Sequence, residues 1–477
     1  MAETLKPDIC VIGAGSGGLS VAAGAAAFGV PVVLIEKGKM GGECLNTGCV
    51  PSKALIAAAR HAAAFAQMAD FGVSGGPRKV DFARVRDHVR GVIAAVAPND
   101  ASERFTGLGV RVIAGAARFK DAATVAVGDD FEIKARRFVI ATGSSPAIPP
   151  IAGLANTPHL TNETIFELAE CPRHLVVIGA GAMGLELAQA FRRLGAAVTV
   201  IEAATPLAGE DAECAAVVLD RLAREGVEIR TGIAVHGVTG DKEAGTVRVA
   251  IGDADRAETI AGSHLLVAAG RRANTEELGL DAAGIKCGPR GIVVNKRLRT
   301  RNRRVFAIGD VTGEPRFTHV AGYHAGLVLR RVLFRLPVRV RYDAVPRVTY
   351  TDPELAHVGL SEAEARARKY RFRVLRWPYH ENDRAQAERA TEGHIKVITT
   401  RRGRILGATI VGQSAGELIA TWALAIDRGL NIRALAGMVV AYPTLAEIGK
   451  RAAITQFAAG LTGPRVRRII AWLRRFG

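Results

Sequence analysis

Cysteine is scarce in this sequence. Six occur among 477 residues, at positions 10, 44, 49, 171, 214 and 287, and one pair lies close together. That excludes a disulfide-stapled secreted scaffold and predicts a reducing, cytoplasmic compartment. The segment Met1 to Asp8 lacks the pattern of a secretory signal. Charge is absent from Cys10 to Ile35, a run long enough to suggest a membrane span. Six glycines and Pro31 interrupt it where a strand, a turn, a helix and a second strand would meet, so a folded unit is expected instead. Acidic residues are in deficit, 46 against 64 Lys and Arg, for a net charge of +18. The arginines are spread along the chain without a recognisable nucleic-acid module, which predicts general basicity and no nucleic-acid partner.

What is present is apolar content of 49%, enough for large cores and about three domains. Ile9 to Ile12 reads as a buried strand. Gly13-Ala14-Gly15-Ser16-Gly17-Gly18 follows and opens an Ala-rich helix, and Val32 to Ile35 forms a second strand ending at Glu36. This is the βαβ dinucleotide fingerprint. Gly13 makes the turn, Gly15 admits a pyrophosphate, Gly18 lets helix meet strand, and Glu36 accepts from ribose hydroxyls. The pattern recurs at Gly179, Gly181 and Gly184, with Glu202 closing the second strand. Gly13 to Glu36 and Gly179 to Glu202 both span 23 positions (36 − 13 and 202 − 179), so two dinucleotides are expected. Ala203 to Gly209 contains no Lys or Arg. A carboxylate at Glu202 with no cation beside it favours NADH over NADPH.

Between these motifs lies Gly41-Gly42-Glu43-Cys44-Leu45-Asn46-Thr47-Gly48-Cys49-Val50-Pro51-Ser52-Lys53. Residues five apart on a regular helix are about 8–9 Å apart at Cα, whereas a disulfide needs about 4.4–6.8 Å. If Cys44 and Cys49 pair, the segment must bend, and Asn46 and Gly48 allow that. Pro51 suits a first helical turn, which puts Cys49 near a helix N-terminus, a position that favours thiolate. The stretch resembles the redox motif of the class I pyridine nucleotide–disulfide oxidoreductases, with Pro-Ser-Lys closer to dihydrolipoamide dehydrogenase and mercuric reductase than to glutathione reductase.

The resemblance implies an α/β fold with two Rossmann-like domains, for FAD and NAD, and a C-terminal α+β dimerisation domain. It places flavin-domain residues at 1–150 and 276–345, the NAD domain at 151–275, and the dimerisation domain at 346–463. Gly115, Ala141, Thr142, Gly143, Gly270 and Asp310 fall at cofactor-binding positions, with Asp310 on the ribityl chain. The implied route runs from NADH through flavin to the Cys44–Cys49 couple, with Cys49 beside the ring and Cys44 attacking substrate. Lys53 would pair with Glu186 near the flavin. A homodimer with active sites shared between subunits is implied, acting on a disulfide or a thiol-bound metal. No resident metal site is expected.

One position departs from the family. Where members commonly carry His-Pro-Thr-x-x-Glu, this chain reads Tyr442-Pro443-Thr444-Leu445-Ala446-Glu447. A phenol titrating near 10 is a poor base for a dithiol at neutral pH, so efficient dihydrolipoamide oxidation is not expected. The vicinal C-terminal cysteines of mercuric reductases are also missing, since no cysteine follows Cys287. From Arg465 to Phe476 a basic amphipathic helix is expected, suited to a membrane surface or a partner. A redox-sensing or membrane-associated NADH flavoprotein is the alternative function.

Overall fold

The structure is a computed structural model that describes residues 2–76, 79–241, 245–252, 258–313, 315–461 and 463–476. The chain divides into two compact units. One holds residues 1–179, 194–196 and 235–340; the other holds 180–193, 197–234 and 341–477.

The first unit is built on a parallel sheet of five strands, in the order Val305–Ala307, Arg137–Ile140, Ile9–Ile12, Val32–Glu36, Arg111–Ala114. Both faces are covered, so its strands read as continuous apolar runs rather than alternating ones. Side chains still divide by period two. Cys10, Ile12, Val33 and Ile35 pack on one face with Phe119 and Phe138. Ile9, Val11, Val32 and Leu34 pack on the other with Leu19, Ala22, Ala25 and Val328. On that second face helix Ser16–Ala26 lies against helix Thr318–Leu333. Their contact is close because the helices meet through small residues: a Cβ on Gly17 would stand 3.3 Å from that of Ala321. A four-stranded sheet, Glu3–Leu5, Phe131–Ile133, Val125–Val127, Ala117–Phe119, covers the opposite face. An antiparallel sheet of Val235–Asp241, Thr246–Ile251 and Glu258–Gly262, and the parallel pair His174–Ile178 with His264–Val267, belong to the same unit.

The second unit carries an antiparallel sheet in the order Arg347–Thr349, Glu354–Gly359, Ile405–Gly412, His394–Thr400, Phe372–Pro378. Helices Ala415–Asp427 and Glu447–Leu461 pack on it around Trp422, Ile448 and Ala452. Strands Ala197–Glu202 and Val227–Thr231 run parallel in the same unit, with helix Ala212–Arg224 between them in sequence. Helix Pro464–Leu473 and the turn Arg474–Phe476 end the described chain, and none of their residues is buried. Among the described residues no helix is long and apolar enough to cross a membrane.

Candidate active site

The two glycine turns are built alike. Gly13 has φ +101° and Gly179 φ +109°, and a Cβ on either would come within 2.5 Å of a carbonyl oxygen, that of Ala141 or Ala268. Only glycine fits. Glu36 accepts from the N–H groups of Ala14 at 2.6 Å and Gly38 at 2.7 Å. Glu202 does the same with Ala180 at 2.8 Å and Ala204 at 2.9 Å. Each acid thus closes its own turn. Gly18 serves the turn more than the strand: its Cβ would lie 1.8 Å from the Gly13 carbonyl oxygen and 3.2 Å from Val11. Gly184 is buried on helix Ala182–Leu194. Gly15 and Gly181 are different. A Cβ on Gly15 would meet nothing closer than 4.0 Å, and on Gly181 nothing at all. Those open faces, at the start of a helix with free N–H groups, fit a pyrophosphate.

The chain leaves and re-enters the five-stranded parallel sheet at one place. Thr142 Oγ1 donates to the Asn274 carbonyl at 2.7 Å, Asn274 Nδ2 to the Thr142 carbonyl at 3.0 Å, and the Asn274 N–H to the Gly143 carbonyl at 3.0 Å. Gly143 and Gly270 take φ +71° and +114°. Ala141 donates to Ile12 at 2.8 Å, and Gly115, at φ +147°, to Glu36 at 2.8 Å. Asp310 lies in the 3-10 turn Gly309–Thr312, where its Oδ2 accepts from Ser144 Oγ at 2.6 Å. His324 Nδ1 accepts from the Gly309 N–H at 3.2 Å, which fixes that turn. Burial lowers the His324 pKa to about 4, keeping it a neutral acceptor. The carboxyl ends of the parallel strands therefore present glycine turns, acceptors and two carboxylates, Glu36 and Asp310, a set that suits FAD.

The dithiol segment bends between two helices. Gly42–Asn46 forms a short one, Thr47 and Gly48 break it, and Cys49 begins helix Cys49–Gln67 with Pro51 in its first turn. Asn46 Nδ2 holds the bend through the carbonyls of Gly42 at 2.7 Å and Met40 at 3.0 Å. Both cysteines carry reduced thiols, Cys49 exposed and Cys44 half-buried. The Cys44 thiol is pushed well above the ordinary range, first by its hydrogen bond with Cys49 and then by burial. Thr318 Oγ1, at the start of its helix, lies 3.4 Å from Cys49 Sγ. Lys53 stands one turn further along the Cys49 helix, half-buried.

Sequence reading missed the group beside this pair. Glu43 is gripped by Arg271, whose Nη1 donates at 2.7 Å, and by Asn162 Nδ2 at 3.0 Å. Asn162 also holds the Thr47 carbonyl at 3.2 Å, and Arg271 Nε the Ser144 hydroxyl at 2.8 Å. Burial raises the Glu43 pKa to about 7 against the pull of Arg271. No local signal links positions 43, 162 and 271; the fold brings them together.

In the other unit, Glu186 is buried and its Oε1 accepts from the Tyr350 N–H at 2.8 Å. Tyr442 is 69% exposed and its hydroxyl donates to Asp383 Oδ2 at 2.8 Å. That hydrogen bond, foremost, raises the phenol pKa. Asn382 caps the helix carrying Asp383 and donates to the Thr444 carbonyl at 3.0 Å, tying the Tyr-Pro-Thr loop to it. Glu447 begins helix Glu447–Leu461; the phenol's hydrogen-bond acceptor is Asp383, a residue that sequence reading did not single out.

Residues 7–325 match the family described as pyridine nucleotide-disulphide oxidoreductase, and residues 345–453 match its dimerisation domain. The latter supports a homodimer. A mercuric reductase of Streptomyces lividans is 36% identical over 459 residues, covering 94% of this chain and 96% of the relative. A dihydrolipoyl dehydrogenase of Geobacillus stearothermophilus is 36% identical over 455 residues, with the same coverage. Among solved structures, the HOCl-induced flavoprotein disulfide reductase RclA of Escherichia coli, as its Cu(II) complex, superposes with a TM-score of 0.85 at 28% identity. It covers 94% of this chain and 99% of that one.

Proposed function

Because this chain belongs to the pyridine nucleotide–disulfide oxidoreductases, FAD-dependent enzymes that use a nicotinamide cofactor, we propose that it runs as an NADH-driven reductase. Its electrons leave through Cys44 and Cys49 to a disulfide or a thiol-bound metal ion. The flavin, when bound, relays two electrons between nicotinamide and dithiol. The chain's own residues do the rest. Gly15, in the turn that Gly13 and Gly18 shape, would take its pyrophosphate, Glu36 its ribose and Asp310 its ribityl chain. Cys49, at a helix start with the Thr318 hydroxyl 3.4 Å away, would be the sulfur that exchanges electrons with the flavin. Cys44 is the sulfur that attacks substrate. Lys53 would place positive charge near the flavin.

The observation that carries this reading is the bent dithiol segment, with Cys44 on one short helix and Cys49 opening the next beside the Thr318 hydroxyl. Direction is supported by Tyr442. Held as a donor by Asp383, it keeps its proton at neutral pH and does not take one from a dithiol. Glu447 shapes the loop behind it, and the active site is shared between subunits of the dimer. Glu202, with no cation between Ala203 and Gly209, supports NADH. Arg347, which reaches the Gly209 carbonyl at 2.6 Å, is taken up by Glu210 at 2.8 Å. A reducing, cytoplasmic setting suits reduced thiols, and the tail 464–477 supplies a peripheral membrane contact.

Anaerobic reduction of the purified enzyme tests the thiol assignment. A long-wavelength thiolate-to-flavin absorption band is expected, absent in Cys49→Ser. Disulfide turnover vanishes in Cys44→Ser while dye reduction by NADH survives. A band that persists without Cys49 refutes the order of the sulfurs. On the same preparation kcat/KM for NADH exceeds that for NADPH by about tenfold or more; equal values remove the role given to Glu202.

A further inference from the structure

Spread through the sequence, the surplus arginines read as general basicity. The fold gathers many of them on one edge of the flavin unit. All five strands of its sheet are parallel, so their first residues share one edge, opposite the carboxyl ends that carry Gly13, Glu36, Thr142 and Asp310. Asp8, Pro31, Arg136 and Arg304 lead into four of those strands. Three cationic segments are stitched together there. The Phe138 N–H donates to the Arg304 carbonyl at 3.0 Å, the Val340 N–H to the Lys296 carbonyl at 2.9 Å, and Arg136 Nη2 to the Val332 carbonyl at 3.4 Å. Residues 296–304 contain six Lys or Arg and no acid, and residues 330–340 contain four and none. Asp8 is engaged by Arg136, whose Nη2 donates to it at 2.7 Å. Arg137 is held below the usual guanidinium range by burial and then by Arg136, Arg304 and Arg299 as like-charged neighbours.

Apolar surface stands among these cations. A cleft of about 820 Å³ is lined by Lys6, Lys134 and Arg136 together with Phe28, Leu333 and Phe334. Phe28 and Phe334 meet edge to face with ring centroids 5.1 Å apart. They are 62% and 52% exposed, and Leu336 beside them 47%. Concentrated like charge is costly in an isolated protein, and exposed aromatics beside it gain nothing from water. An anionic lipid surface answers both: phosphates neutralise the guanidinium groups, and the rings enter the headgroup layer.

From this juxtaposition we infer that the amino edge of the flavin unit is a docking surface for an anionic phospholipid membrane. The membrane contact then lies at the edge of the sheet opposite the cofactor turns. The inference is independent of the substrate. It deepens the membrane contact proposed for the tail, whose Ile469, Trp472 and Phe476 are likewise exposed among arginines.

Vesicle co-sedimentation of the flavin-loaded enzyme tests it, with phosphatidylcholine alone and with added phosphatidylglycerol. Binding is expected to the anionic vesicles only and to fall with salt. The pair Arg303→Glu and Arg304→Glu weakens it by about tenfold or more. Phe28→Ser with Phe334→Ser weakens it too. Flavin content and NADH-dependent dye reduction stay unchanged in both, which controls for folding. A chain truncated after residue 463 retains vesicle binding that the arginine pair then abolishes, so failure of the tail and failure of this edge are told apart. The inference is overturned if anionic vesicles are not bound, or if the arginine pair leaves binding intact. It is also overturned if the phenylalanine pair has no effect while soluble polyglutamate competes fully, which assigns the surface to an acidic protein. A change in oligomer size on arginine reversal, without change in lipid binding, assigns it to a second copy of the chain.

Discussion

Tyr442 shows how much a single side chain decides. Its loop carries the proline, threonine and glutamate of the family pattern, and the acid/base residue alone differs. An imidazole at that place titrates near neutrality and exchanges protons with a dithiol; a phenol hydrogen-bonded to a carboxylate does not. Since Asp383 raises the phenol pKa, the proton leaves only well above neutral pH. Tyr442→His is therefore expected to raise kcat for dihydrolipoamide oxidation at neutral pH by about 10–100-fold. Asp383→Asn in the parent chain shifts the alkaline limb of the reductase pH profile downward. An unchanged oxidation rate in Tyr442→His shows that the residue does not face the dithiol. The substitution itself is readable in the sequence. Its partner is not, because Asp383 lies 59 positions away and only the loop's tie through Asn382 brings it near.

Among the elements, the glycine turns were legible because their requirement is local. A positive φ and a carbonyl at 2.5 Å admit no side chain. Gly41 and Gly42, by contrast, read as the opening of a motif with no stated task. Gly42 takes φ +58°, and a Cβ there would stand 2.8 Å from Gly15 Cα. The dithiol helix thus rests directly against the first phosphate turn, backbone on backbone. Gly42→Ala combines strain at that φ with a clash against an immobile turn, a cost of about 1–3 kcal/mol. It is expected to weaken FAD retention by roughly tenfold or more, read as flavin-to-protein ratio after dialysis. Full retention contradicts the close approach. The same distance between chain segments hides Thr318 and Arg271 from sequence reading. Each sits at the start or edge of an element whose existence is predictable and whose neighbour is not.

At the scale of the molecule, the second unit is held partly by a buried charge cluster. Lys396, 5% exposed, reaches Asp211 at 2.8 Å, Glu362 at 2.9 Å and Glu213 at 3.0 Å. Asp211 caps helix Ala212–Arg224, so the cluster fastens that helix to the antiparallel sheet. Lys396→Met leaves the buried Asp211 without its cation, while Glu213 and Glu362 keep Arg376 and Arg366. The change costs about 3–5 kcal/mol and is expected to lower the Tm of the holoenzyme by several degrees; an unchanged Tm refutes this. Arg376, then burial opposing it, and Lys396 bring the Glu213 pKa to about 2. A carboxyl depressed on folding contributes stability above its ordinary pKa of 4.5 and loses it as pH falls towards 2. Arg376→Ala therefore moves acid unfolding to higher pH. The sequence by itself determined the repeated nucleotide turns, the cysteine spacing, the tyrosine in place of histidine and the family, because each is a short-range pattern of residue type. Only the tertiary structure decided that Glu43, Asn162 and Arg271 meet at the bend between the cysteines, that Asp383 holds Tyr442, and that scattered arginines share one edge. Those depend on which distant segments the sheets bring side by side, and strand pairing leaves no trace in local spacing.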